Sequence, residues 1–290
     1  MDQKIIKRFK KDSPSHWVGD GFAVQSIFNY HEFPQEISPF LVMDYAAPRE
    51  FAPNTSKRRR GVGEHPHRGF ETVTIVYHGE VEHRDSAGGG GVISEGDVQW
   101  MTAASGLVHE EFHGENFSRD GGLFEMIQLW VNLPKKDKMN KPRYQGITKD
   151  QIPTVELGSA GTLRVIAGDY NNTLGPAMTH TPVNLWDLRL KAGTEVTLKL
   201  PSSHMNSFFV LSGEVEYVDG TRQKSAEYAV LADGTSEVTL KVHADAKILM
   251  MGGEPLNEPI FAYGPFVMNN KSEIYDAMLD FESGKMGRLS

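Results

Sequence analysis

Apolar and polar positions alternate over short runs through most of this chain. Residues 70–83, FETVTIVYHGEVEH, alternate and are rich in Val, Thr and Ile, which predicts a pair of strands turning near His78-Gly79. Short strands are also predicted around Ile5, Ile6 and Phe9, over FAVQSIF at 22–28, and over the mostly apolar SPFLVMDYA at 38–46. FEMIQLWVNLP at 124–134 reads as another buried strand, and strand-like runs resume at 162–167, 185–190, 194–200, 207–218, 226–231 and 236–242. The clearest helical period lies in 270–286, where Ile274, Met278 and Phe281 share a face behind Asn270 or Ser272 as N-cap. With 29 glycines and 15 prolines to supply turns, the class is all-β.

The pattern also repeats. TIVYHGEVEH at 74–83 corresponds to FFVLSGEVEY at 208–217, which predicts an internal duplication. A chain of 290 residues is long enough for two medium domains, each with its own core. KKDKMNK at 135–141 is charged and bracketed by Pro134 and Pro142, so it is the expected linker. The predicted division is a first domain at 1–134, a linker at 135–142, and a second domain at 143–290 that ends in the helix.

Charge and composition remove several functions. A formal net charge of -8 gives no global footprint for nucleic acid or an anionic membrane, and no apolar run approaches a membrane-spanning length. The N-terminal MDQKIIKRFKKD lacks the apolar segment of a signal peptide. Without cysteine there is neither a disulfide framework nor a thiolate site, which fits a cytoplasmic protein whose metals would be held by His and carboxylates. There is no Gly-x-Ser-x-Gly element for acyl chemistry, and Gly88–Gly91 lacks the Lys-Ser/Thr ending of a phosphate loop, so it reads as a flexible hairpin. The one basic run, Lys57–Arg60, could border the mouth of a pocket beside His65.

The candidate chemistry lies in GVGEHPHRGFE at 61–71 and GLVHEEFH at 106–113. His65 and His67 are two residues apart, as are His109 and Glu111, and in extended strands each pair shares a face. Two such pairs on facing strands make a four-ligand site suited to a first-row divalent metal. Glu71 competes for the carboxylate place, but it lies ~13 Å from His67 along a straight strand and would need a bend at Gly69. Glu111 needs none and is preferred. His83, Asp85 and His113 form a rival cluster, read as rim or surface groups with support of a ligand as their functional alternative. Sliding His65, His67 and Glu71 onto the second repeat gives Lys199, Pro201 and Met205, so one metal is expected, in the first repeat; His204 and Asn206 there read as packing or turn residues.

SPFLVMDYA, HPHRGFETVT, GDVQWMTAASGLVHEE, LWVNLP and EPIFAYGPFVMN together resemble the pirin family and span nearly the whole chain. The resemblance implies a bicupin, two tandem antiparallel jelly-roll β-barrels with a C-terminal helix. It places the family's iron ligands on His65, His67, His109 and Glu111, with Fe(II) the expected metal and other first-row ions as substitutes. It implies a flavonol 2,3-dioxygenase acting on quercetin, in which dioxygen opens the heterocycle with loss of carbon monoxide and Glu111 is both ligand and base. Phe70, Trp100 and Met101 are the candidates to line an apolar slot for the aromatic substrate. The alternative implied by the family is a non-catalytic, iron-dependent regulator that binds a transcription factor or a metabolic enzyme. A monomer is expected. A sugar-phosphate isomerase of the cupin class would need a basic clamp, and Arg68 alone is too little.

Overall fold

A computed structural model describes residues 5–11 and 13–289. The chain is mostly β and forms two compact units. The first to be described holds the histidine pairs and is built from residues 14–32, 39–149 and 256–289. Its strands are β1 (Ser15–Val18), β2 (Phe22–Asn29), β3 (Phe40–Phe51), β4 (Gly61–His67), β5 (Phe70–His78), β6 (Glu80–Asp85) and β7 (Gly90–Ser94), continuing with β8 (Val98–Thr102), β9 (Leu107–His113), β10 (Gly122–Asn132) and β11 (Arg143–Ile147). A late hairpin of β12 (Phe261–Tyr263) and β13 (Phe266–Met268) and the helix α1 (Lys271–Glu282) complete it.

Seven strands form one sheet in the order β11-β8-β5-β10-β3-β2-β1, and four form another in the order β4-β9-β6-β7. Among the described residues no sheet closes on itself. The alternating 70–83 run does give two strands, but they do not pair with each other. β5 pairs with β8 and β10, whereas β6 pairs with β9 and β7. Gly79 at φ +90° carries the chain from one sheet to the other, and a Cβ there would meet a Phe124 ring carbon at 2.6 Å, so side chain and conformation both exclude other residues. Beyond this crossing, Phe22, Val76, Val81, Ile93 and Phe124 are buried together between the sheets.

The division into units differs from the one predicted at 135–142. Lys138, inside the expected linker, is fully buried; its Nζ donates to the Gly69 carbonyl at 2.6 Å, Asn132 Oδ1 at 2.6 Å and the Val267 carbonyl at 2.9 Å. Three acceptors satisfy an ammonium that composition alone assigned to solvent. The helix forms where predicted, with Asn270 accepting from the Glu273 N–H as N-cap, but its buried face holds Ile274 and Ala277 against Val108, Phe266, Met268 and Met286, and Phe281 is exposed. It therefore packs with the histidine-bearing strands and not with the second repeat.

The other unit comprises residues 33–38 and 150–255 with the N-terminal strand Ile6–Lys10. Its sheet is built around Met205–Tyr217 and Glu237–Gly253. Leu163, Trp186, Phe208, Val210, Leu240 and Ile248 belong to its apolar core. His204 ends the turn before the strand Met205–Tyr217, and Asn206, at the start of that strand, donates from Nδ2 to the carbonyls of Pro201 and His204. No helix among the described residues is long and apolar enough to cross a membrane.

Candidate metal centre

His65 and His67 alternate along β4, as His109 and Glu111 do along β9. The two strands are antiparallel neighbours in one sheet: His109 lies opposite His65, and a bulge after His109 puts Glu111 opposite Val62. Ring centroids are 4.2 Å apart for His65 and His109, 4.8 Å for His67 and His109, and 4.9 Å for His65 and His67. One ligand nitrogen from each of these three lies within 4.8 Å of the others, and one ligand atom from each of His83, His109 and Glu111 forms a second trio within the same distance. His109 belongs to both.

Hydrogen bonds fix which nitrogen each ring offers. His65 Nδ1 faces the Gly63 carbonyl at 2.8 Å and His67 Nδ1 the Pro265 carbonyl at 3.4 Å, so each N–H donates there and leaves an Nε2 lone pair free. His83 Nε2 lies 3.2 Å from Asp85 Oδ2, and its Nδ1 faces His109 Nδ1 at 3.3 Å. A proton donated from His83 to Asp85 makes His83 Nδ1 the acceptor for His109, again leaving Nε2. That atom, His109 Nε2, is buried and has no partner. Burial drives the His67 and His109 imidazoles well below the ordinary histidine range, and neighbouring histidines push the same way, while the Pro265 carbonyl opposes this for His67. Burial would raise the Asp85 carboxyl, but hydrogen bonds from His83 and the backbone of Gly89 and Ala87 hold it below the usual carboxylate range.

Glu111 is held from the opposite sheet. Its Oε1 accepts from Gln99 Nε2 at 3.1 Å and Thr74 Oγ1 at 3.5 Å, and its Oε2 from Gln128 Nε2 at 2.9 Å. Gln128, Thr74 and Gln99 are direct cross-strand neighbours on β10, β5 and β8, so one row of side chains aims the carboxylate. Neutral imidazoles beside one oriented carboxylate, with a ring nitrogen lacking any proton donor or acceptor, fit a first-row divalent metal. Among the described residues both clusters of metal-capable side chains lie in this unit.

The sequence profile described as Pirin matches residues 21–131, and that described as Pirin C-terminal cupin domain matches residues 185–287. The chain belongs to the pirin family. A Pseudomonas aeruginosa protein named, provisionally, as a quercetin 2,3-dioxygenase is 54% identical over 94% of this chain and 95% of its own length. A quercetin 2,3-dioxygenase crystal structure from Acinetobacter baumannii is 49% identical, covers 99% of both chains and superposes with a TM-score of 0.95. A bacterial pirin from Escherichia coli, solved with nickel(II), shares the fold at a TM-score of 0.63 and 18% identity, over 86% of this chain and 99% of that one. The bicupin architecture with a C-terminal helix expected from the sequence is thus the pirin fold.

Within that fold, Glu71 points away from the histidines. It pairs with Thr102, whose hydroxyl donates to it at 2.6 Å on the sheet face opposite Thr74 and Gln99, and burial pushes its carboxyl up to about 7 against that bond. Trp100 shares that outer face, so it does not line a slot beside the histidines. Phe70 and Met101 are on the inner side but wholly buried. Phe70, 5.0 Å from the His67 ring, instead backs Trp130, which stacks on it at 4.3 Å and meets His67 edge-on at 5.3 Å. Sequence reasoning missed Trp130; the signal was its parity with Gln128 and Asn132 on a strand otherwise read as uniformly buried.

Other expectations also move. His83 and Asp85 are buried supports of His109, not rim groups. Arg58 pairs with Asp20, Arg59 pairs with Glu82 and lies over the Phe112 ring, and Arg60 bonds the Ala52 carbonyl, so all three are engaged away from the histidines. Arg68 is buried and bonds the Ser105 carbonyl and Asp280, a structural role. His113 lies among Phe22, Phe51, Phe117 and Phe124 with Nε2 on the Gly21 carbonyl, and burial lowers its pKa to about 4. A depressed histidine pKa means the unfolded chain takes up the proton first, so this stability is present above about 6.5 and is lost as pH falls toward 4. Relative to wild type, His113→Phe should gain about 3 kcal/mol between pH 7 and pH 4, read from urea midpoints at both values.

Proposed function

We propose that this protein is a metal-dependent dioxygenase that opens the heterocycle of flavonols such as quercetin with release of carbon monoxide, at a centre held by His65, His67, His109 and Glu111. The observation that carries the reading is the unpartnered, buried His109 Nε2 beside two histidines whose Nδ1 atoms are already engaged. Fe(II) is the metal expected to be held there, with other first-row ions as substitutes. Bound at this site, it would supply the Lewis acidity that favours the anionic form of the substrate and the redox contact with dioxygen. Glu111, oriented by Gln99, Thr74 and Gln128, takes the proton from the substrate hydroxyl. Trp130, backed by Phe70, carries the ring plane, and His83 with Asp85 keeps His109 in the tautomer that presents Nε2. The names of the Pseudomonas aeruginosa relative and the Acinetobacter baumannii structure support the same chemistry.

The test is anaerobic reconstitution with Fe(II), Mn(II), Ni(II) or Cu(II), followed by admission of oxygen. Loss of flavonol absorbance with equal release of carbon monoxide is expected from at least one metal; a fully loaded protein inert with all four refutes the reading. One feature favours the regulatory alternative: Phe261, Tyr263, Tyr275 and Met278 line a partly exposed apolar groove between the late hairpin and α1. An inert but metal-loaded protein would point there.

A further inference from the structure

Two neighbouring rows of cross-strand residues cross the inner face of the seven-stranded sheet. One runs Val42, Trp130, Thr72, Met101, Tyr144, and the other Ser26, Asp44, Gln128, Thr74, Gln99. The last three of the second row hold Glu111. Asp44 is the next member, on the same face as Gln128, and neither the metal centre nor the proton transfer to Glu111 uses it. Its Oδ1 accepts from Ser26 Oγ at 2.7 Å, and no Lys or Arg pairs with it among the described residues. Burial raises its carboxyl pKa, with the Ser26 bond and the charge of His16 working the other way. A half-buried carboxylate with one neutral hydroxyl donor and no paired cation costs folding energy.

Exposure along the rows shows where the face is open. Thr72, Thr74, Gln99 and Met101 are closed off, whereas Val42, Trp130, Asp44 and Gln128 are half-buried, as is His65. The opening therefore lies at β3 and β10, with Asp44 on it and Gln128 between Asp44 and Glu111. Adjacent strands are ~4.8 Å apart, so Asp44 and Thr74 stand ~10 Å apart, about the width of a fused bicyclic ring.

We infer that Asp44 is a second polar subsite of the pocket, accepting a hydrogen bond from a further hydroxyl of a planar polyphenol whose first hydroxyl is at Glu111 and whose ring lies against Trp130. The inference rests on the proposed reading of the metal centre and narrows it: the preferred substrates are flavonols hydroxylated at a distant ring edge, over the same ring system carrying the 3-hydroxyl alone. A hydrogen bond to a charged acceptor sets the preference at about 10- to 100-fold.

Anaerobic binding to the metal-loaded protein tests this with quercetin and 3-hydroxyflavone as probes, for wild type, Asp44→Asn and the smaller Asp44→Ser. Wild type should bind quercetin about 10- to 100-fold more tightly, and both variants should lose that preference by weakening quercetin alone. Equal weakening of both probes would overturn the inference, because Asp44 would then act through the fold. An unchanged preference in the variants would also overturn it, while leaving the dioxygenase reading intact if wild type turns both probes over. Wild type that binds neither probe would overturn both.

Discussion

Replacing His109 with alanine should abolish flavonol turnover and lower metal affinity by more than about 100-fold, while the apoprotein stays folded. Loss of an outer partner of a metal ligand typically costs 10–100-fold, and His109 is placed closer to the centre than that: it alone belongs to both trios of metal-capable side chains. The effect on folding is expected to be small because two terms oppose each other. Removing a buried ring leaves a cavity that costs about 2–4 kcal/mol, but it also removes a buried nitrogen with no partner, which costs about 1–3 kcal/mol to keep. Elemental analysis after metal equilibration, beside urea unfolding of the metal-free protein, separates the two effects. His109→Ala protein that retains full metal content would remove the ligand set.

Glu111→Gln should be nearly as damaging, and Glu71→Gln should not. An amide at 111 cannot accept from Gln99, Thr74 and Gln128 together, because one of its two terminal atoms is itself a donor. It also removes the one anionic ligand and the proton acceptor, so turnover is expected to fall by at least about 100-fold. Glu71 offers the contrast. It lies on the other face of β5, and burial pushes its carboxyl up to about 7. Its folded pKa lies above the unfolded one, so the ionised form weakens folding as pH rises through about 7. Glu71→Gln should keep metal content and turnover and be no less stable than wild type at pH 8. If Glu71→Gln loses the metal and Glu111→Gln keeps it, the carboxylate assignment is reversed.

Much of this was legible in the sequence because strand parity is a strict rule. Once 61–67 and 107–113 are strands, the alternation of His65 with His67 and of His109 with Glu111 leaves little freedom, whereas Glu71, which shares their parity, is set aside on its distance along the strand, and the break between strands at Gly69 turns it to the other face. What parity cannot supply is strand order. Residues 70–83 looked like a hairpin because hairpins are the commonest link between adjacent strands, but Gly79 sends the two halves to different sheets. That crossing puts His83 behind His109 and Thr74 in front of Glu111, so support for both came from a stretch read as one local unit. Trp100 was chosen as a lining residue for its aromatic character, and its neighbours in the sheet put it on the outer face. The linker expected at 135–142 failed for a chemical reason: a charged stretch between prolines reads as a connection, and only the fold reveals three oxygen acceptors converging on the Lys138 Nζ.

Anomalous diffraction from crystals grown with Fe(II) or Ni(II) under anaerobic conditions measures the position of the metal directly. One strong peak is expected at about 2.1 Å from Nε2 of His65, His67 and His109 and from a Glu111 oxygen, with His83 outside bonding distance. A peak ligated by His83, His109 and Glu111 instead, with His65 and His67 unbound, would contradict this placement.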